Sequence, residues 1–362
     1  MFGRQSATQR RRLLIGSHTD SVSAGGRLDG VYGVVAALEV LRALVEAGDP
    51  AADYVEVVDF ADEEGVRFPC GYFGSKALTG ALDVSALGQP ALDVLRGAGV
   101  DGRRIRAAST HLKDVAGYIE IHIEQGPRLE SSWTSVAPVL GILGFDRYRI
   151  HIRGRSQHGG TTPFALRRDP SRAAAELISA IPKLVSGMNP AGTATVGVLS
   201  STGGAINFTP GEVELSLEVR QPTRAALAAT VAAVRRRLKT ACNRHRCVAS
   251  MARQHLRPEI KDGMPVAVEP AYFPPVTFDT RLLKATRLAC SSIGVRARPM
   301  HAGTWHDAGI MAARVPAAML LVPSLGGVTH APSEATRDRD LVQGARALLR
   351  ATQLAVDALG LS

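Results

Sequence analysis

Three histidines and a set of carboxylates stand at comparable places along this chain, each just after a short apolar run. His18, Asp20 and Asp29 follow Leu13-Leu14-Ile15, within Gly16-Ser17-His18-Thr19-Asp20-Ser21-Val22 and Gly25-Gly26-Arg27-Leu28-Asp29-Gly30. Glu63 and Glu64 follow the run at 54–60, His122 ends the run that begins at Gly117, and His330 comes soon after an apolar stretch at 317–322. Imidazole nitrogen and carboxylate oxygen are ligands for zinc and manganese, and a set of this size suits two divalent ions. One carboxylate can bridge both ions, and a water held between them is acidified toward neutrality and becomes a nucleophile. Two adjacent glutamates on an irregular turn can then divide the work, one ligating and the other facing the water as general base. Alone, such a pair reads as a solvated loop; its recurrence beside the histidines gives it weight.

These residues need elements that deliver them to one place. The apolar runs read as buried strands. A helical pattern follows the first, with Val31, Val34, Val35, Leu38, Leu41 and Val45 on one face and Gly48 with Pro50 as its stop. Connections from a strand end to a helix start are where open α/β sheets place ligands.

At about Gly141 the texture changes. Residues 147–153 alternate, with Tyr148, Ile150 and Ile152 on one face and Arg147, Arg149, His151 and Arg153 on the other, as in a half-exposed antiparallel strand. Asp169-Pro170 opens a helix, 212–220 alternates with Arg220 on its polar face, and Thr223 caps a helix striped by Leu227, Val231, Val234 and Leu238. The reading is an α/β catalytic domain, 1–141 and 258–362, interrupted by an α+β domain over 142–257. The α/β pattern resumes with a helix near 280–294, and an amphipathic helix closes the chain.

A length of 362 residues favours two domains, and 45% hydrophobic residues make the chain globular. No apolar run approaches a membrane span, and the basic stretch 1–12 lacks a signal-peptide layout. The net charge of +10 is carried mainly by arginine; with 5% aromatics and no nucleic-acid motif it reads as scattered surface arginine, so neither nucleic acid nor membrane is expected as a partner. Cys70, Cys242, Cys247 and Cys290 make no CxxC pair, which suits a reduced, cytoplasmic setting.

The segments GSHTDSV…GGRLDG, ADEEGVRF, HIEQGP, SQHGGTTP, INFTPGEV, HDA and THAPSE run in order over nearly the whole chain. In them the sequence resembles the amidase, hydantoinase and carbamoylase family of dinuclear metallohydrolases. That group includes N-carbamoyl-L-amino-acid hydrolases, allantoate amidohydrolases and β-ureidopropionases. The resemblance implies a metallopeptidase-like catalytic domain whose inserted domain is a ferredoxin-like lid and dimerisation module. It implies two ions per subunit, zinc or manganese, with cobalt and nickel as further members of the set. His18 and His122 would hold one, Glu64 and His330 the other, and Asp29 would bridge. Glu63 would be the general base, with Asp20 orienting His18. His158 would stabilise the oxyanion from the partner subunit of a homodimer. Asn207 and Arg220 would bind the substrate carboxylate, for which a forked guanidinium is suited, and Gln125 would touch the ureido or amide group.

Two departures carry expectations of their own. Only seventeen residues precede His18, where the family usually has several dozen, so one flank of the catalytic domain is expected to be uncovered. Thr304-Trp305 stands where the family keeps a small glycine-rich loop; the indole either lines the carboxylate pocket or turns away and packs. The implied activity is hydrolysis of linear C–N bonds in an N-carbamoyl amino acid or a similar ureido acid. Its rivals are a peptidase or aminoacylase of the same superfamily, and a catalytically silent binder of metal or small acids. The histidine of HIEQGP, where many of those relatives place an acidic ligand, argues against the peptidase.

Overall fold

The computed structural model describes residues 2–3, 11–68, 70–254, 260–261, 264–265 and 270–361. The chain opens with β1 (Arg12–His18), α1 (Val31–Glu46), β2 (Val55–Phe60), β3 (Val115–Ile123) and β4 (Ala137–Ile142). It continues through β5 (Gly144–Arg153), α2 (Pro170–Ser186), β6 (Thr193–Thr195), β7 (Leu199–Thr202), β8 (Glu212–Gln221), α3 (Arg224–Arg244) and β9 (Val248–Arg253). It closes with α4 (Thr280–Ser292), β10 (Met300–Ala302), α5 (Asp307–Met311), β11 (Ala317–Val322) and α6 (Asp338–Ala358).

Two compact units result. The first comprises 1–142, 257–269 and 277–362, and the second 143–256 and 270–276. After 269 the chain returns to the inserted unit, where Tyr272 and Phe273 pair with Asp146 and Phe145 of β5.

In the first unit the central strands of the sheet run β2-β1-β3-β11-β4, with Phe2 and Gly3 pairing β2 at one end and β10 pairing β4. The first three joints are parallel, and β11 meets β4 antiparallel. The chain steps from β1 to β2 on one side and then back across to β3 on the other, which makes the β1–β3 gap a topological switch point where an open sheet leaves a crevice. One face of the sheet packs on α1, α4 and α6 through Leu13, Ile15, Ile119, Ile121, Leu282, Leu348 and Ala351.

The stripe expected on α1 is corrected. Tyr32, Gly33, Val34, Ala36, Ala37, Val40 and Leu44 are buried, whereas Val35 is 57% and Leu38 52% exposed. Small residues win the inner face because the helix lies close on the sheet: a Cβ on Gly33 would meet the Ile121 carbonyl oxygen at 2.4 Å. Larger aliphatics on a neighbouring arc are left outside.

The inserted unit is a four-strand antiparallel arrangement, β9-β5-β8-β6, with β7 also pairing β8. Strand–helix–strands–helix–strand in this order is a split βαβ topology. Tyr148, Ile150, Ile152, Val213, Leu215 and Leu217 pack against α2 and α3 through Leu177, Ile181, Val234 and Leu238. The opposite sheet face carries charge: Arg147 and Arg220 share Glu218 at 2.6 Å each, and Arg149 reaches Glu214 at 2.7 Å. Asp169 and Thr223 cap α2 and α3, accepting from Ser171 N and Ala226 N. No helix among the described residues is long and apolar enough to cross a membrane.

Candidate metal centre

The C-terminal ends of parallel strands converge on one carboxylate. β1 ends on His18, β3 carries His122 at its last turn of the pleat, and Asp29 lies in the loop entering α1. Asp29 Oδ1 is 3.0 Å from His122 Nε2 and 3.8 Å from His18 Nε2; its Oδ2 is 3.2 Å from His330 Nε2, which in turn is 3.4 Å from Glu64 Oε1. Two ligand groups therefore share Asp29: His18, Asp29 and His122, and Asp29, Glu64 and His330. The first is buried, while the His330 side chain is 45% exposed.

The donor set fits divalent cations. His18 Nδ1 faces the Asp20 carbonyl oxygen at 3.0 Å and His122 Nδ1 faces the Ile123 carbonyl oxygen at 2.9 Å. A ring N–H given to each carbonyl leaves both Nε2 atoms as bases directed at Asp29, and basic atoms this close need a cation or a proton between them. The electrostatic surroundings of these groups point the same way. Burial works against a charged His122, but the Asp29 carboxylate outweighs it and raises the imidazole to about 9. Burial would raise Asp29, but His122, His330 and His18 hold it well below the usual carboxylate range. Burial, with the Asp29 charge beside it, pushes Glu64 up to about 7.

Glu63 is buried with Oε2 3.8 Å from His18 Nε2, and burial plus the charges of Asp307, Glu64 and Glu120 raise its pKa strongly. Asp20 accepts hydrogen bonds from the backbone N–H groups of Glu63 at 3.0 Å and Glu64 at 3.1 Å. It thus orients His18 through its carbonyl and grips the glutamate turn through its side chain. Gln125 Nε2 donates to Asp29 Oδ2 at 2.8 Å. Gln125, His330 and Asp62, which holds the loop after β2, all have positive φ, a conformation that costs a non-glycine residue energy and tends to collect at functional sites.

The remaining expected residues lie in the inserted unit. Asn207 Nδ2 is 3.3 Å from His158 Nε2, and His158 Nδ1 accepts from Gly160 N and Thr161 N. Arg220, on β8, donates from Nε to Glu218. Trp305 belongs to the first unit and is only 8% exposed; its ring edge lies where a Cβ on Gly309 would come within 2.9 Å, so the indole packs on the first turn of α5.

Several residues with a part in the site had no role in the sequence reading. Glu334 Oε1 accepts from Leu28 N and Asp29 N, at 3.1 and 3.0 Å, and so holds the backbone of the bridging residue. Glu120 accepts from Ser17 Oγ at 2.7 Å and Ala308 N at 2.8 Å, tying β1 to α5 behind the ligands. A signal for Glu120 existed: an acid two residues before His122 in an otherwise apolar strand shares its face. Thr304, Thr329 and His306 enter through contacts between distant segments, which no local pattern announces.

A parallel sheet that gathers histidines and carboxylates at its carboxyl edge defines a metal-dependent hydrolase centre. The sequence profile of peptidase family M20/M25/M40, whose members depend on metal, matches residues 14–354, and the chain belongs to this family. It is 32% identical over 361 residues to the N-carbamoyl-L-amino-acid amidohydrolase of Paenarthrobacter aurescens, covering 97% of this chain and 83% of that protein. It is 31% identical over 356 residues to the allantoate amidohydrolase of Bacillus subtilis, covering 96% and 82%. A crystal structure of a hydantoinase/carbamoylase family amidase from Burkholderia ambifaria matches with a TM-score of 0.83 at 28% identity, over all of this chain and 84% of that one.

Proposed function

We propose that the protein hydrolyses a linear, non-peptide C–N bond in an N-carbamoyl amino acid or a similar ureido acid such as allantoate. The observation that carries this reading is Asp29, shared by two ligand groups in a chain similar throughout to two amidohydrolases of such acids. Two divalent ions, zinc or manganese, would be held by His18 with His122 and by Glu64 with His330, Asp29 bridging. When bound they supply Lewis acidity and lower the pKa of the attacking water. Glu63 takes that water's proton and returns it to the departing nitrogen; its buried, acid-crowded setting holds the raised pKa a general base needs. Arg220 and Asn207 hold the substrate carboxylate, and His158 meets the developing oxyanion. Gln125 stands beside Asp29, where the ureido group is handled. With a carbamoyl amino acid the products are the amino acid, carbon dioxide and ammonia.

His158 serves the neighbouring subunit of a homodimer formed through the inserted unit. The exposed strand β7, with Leu199 in it and Val198 and Ile206 just outside it open to solvent, supports that assembly. A cytoplasmic setting accompanies this reading, as the four cysteines are free thiols.

The test measures bound metal together with ammonia release from allantoate, carbamoyl α-amino acids and carbamoyl-β-alanine, with dipeptides and N-acyl amino acids alongside. Ammonia from at least one ureido acid, lost with chelator and restored by manganese or zinc, is expected. Cleavage confined to dipeptides or N-acyl substrates would replace the reading with the peptidase or aminoacylase one. Bound metal without turnover of any substrate would make the protein a binder.

A further inference from the structure

Both ends of the Gln125 amide are engaged by protein groups. Its Nε2 has two hydrogens, and Asp29 Oδ2 at 2.8 Å and Thr329 Oγ1 at 3.0 Å take them, with His330 Nε2 at 3.3 Å alongside. Thr329 Oγ1 in turn donates to the same Asp29 oxygen at 3.2 Å. The amide oxygen accepts from Thr304 Oγ1 at 2.9 Å, and Thr304 Oγ1 lies 3.3 Å from Nε2 of the buried His306. With the His306 proton on Nε2, each group donates onward: His306 to Thr304, Thr304 to Gln125, Gln125 to Asp29.

Direction matters in such a chain. An amide is nearly symmetric in shape but not in polarity, so something must decide which end faces Asp29. Asp29, which can only accept, takes the nitrogen end, and the Thr304 hydroxyl, able to donate or accept, donates to the amide oxygen and holds the far end of the amide in place. Were the amide reversed, its oxygen would face the Asp29 carboxylate at hydrogen-bond distance with no proton between them.

We propose that Thr304 is a positioning residue for the metal centre, acting through Gln125 to fix the orientation of the bridging Asp29 carboxylate and hence occupancy of the ion held by Glu64 and His330. The other ion depends less on it, since its ligands His18 and His122 are held by backbone carbonyls. The inference rests on the two-metal reading. Outer partners of metal ligands act in this way, at about 10–100-fold in affinity.

The test is calorimetric titration of manganese into metal-free full-length protein, comparing wild type with Thr304→Val, Thr304→Ala and Thr304→Ser, with circular dichroism to verify folding. Valine keeps the shape and removes the hydroxyl; alanine is the second variant if valine disturbs folding; serine keeps the donor. Wild type should take up two ions. Val and Ala should weaken one of them by about 10–100-fold and leave the other within about twofold, while Ser stays near wild type. Wild-type uptake of two ions with Val and Ala indistinguishable from it would overturn the role of Thr304 and leave the two-metal reading standing. Ser as weak as Val would mean the methyl group's packing matters, and would equally overturn it. Uptake of a single ion by wild type would remove both.

Discussion

Neighbouring side chains here face different partners. Glu63 and Glu64 are neighbours in sequence, yet Glu64 faces His330 and Asp29 while Glu63 lies on the His18 side. Glu63→Gln is expected to keep its metal and lose about 10²–10⁴-fold in turnover, and Glu64→Gln to lose metal; metal analysis beside steady-state rates checks both. The reverse pattern would exchange the two roles. The resemblance implies which glutamate does which; the spacing alone does not, because the turn after β2 is irregular and its direction depends on the Asp20 grip. The indole of Trp305 was equally undirected in the sequence. Packed at 8% exposure against α5, it predicts a structural effect: Trp305→Gly should cost about 3–5 kcal/mol of stability in denaturant unfolding while the ranking of substrates stays the same. A changed ranking with unchanged stability would put the ring in the substrate pocket after all.

At the level of elements, strands were easier to read than helix faces. The apolar runs before His18 and Glu63 and through His122 form three adjacent parallel strands because β-branched and aliphatic residues buried on both sides leave little alternative. The face of α1 was misread, since hydrophobic periodicity weighs valine and leucine above glycine and alanine, whereas close helix–sheet contact reverses that order. In the inserted unit, alternation along β5 and β8 placed Arg147, Glu218 and Arg220 on one face, and the register sets Arg147 opposite Glu218. Burial works to raise the Glu218 carboxyl, but Arg220 and Arg147 outweigh it and the net shift is downward. A carboxyl whose folded pKa is depressed stabilises the fold above its unfolded value, near 4.3, and loses that contribution as pH falls through the folded pKa. Glu218→Gln should therefore lower unfolding stability by about 1 kcal/mol at pH 7 and by less in acid, below the unfolded value, the partial exposure of the three side chains keeping the figure small. An equal loss at both pH values would trace the effect to packing instead of charge.

For the molecule as a whole, the arginine excess is not scattered. Residues 143–256 hold seventeen Lys and Arg against six Asp and Glu, a net +11 where the entire chain carries +10. The unit bearing His158, Asn207 and Arg220 is thus the cationic one, in keeping with the proposal that it meets the substrate carboxylate. If its His158 completes a neighbour's site, two inactive proteins should restore each other: mixing His158→Ala with Glu63→Gln gives mixed dimers with one site intact in both residues. Ammonia release should reappear after subunit exchange. Silence despite proven exchange would confine His158 to its own chain or remove it from catalysis.

The interruption of the sheet has a consequence in time. β11 pairs with β3, but 193 residues lie between Ile123 and Ala317, most of them the inserted unit. At about 5–20 residues per second the ribosome needs roughly 10–40 s to deliver β11 after β3 has emerged. During that interval the inserted unit can complete its own antiparallel core, whereas β3 waits with one edge unpaired, its histidine and Glu120 without α5 behind them. An unpaired apolar strand edge is a template for mispairing. Whatever shields that strand edge during the delay then bears on how much of the chain reaches its native pairing.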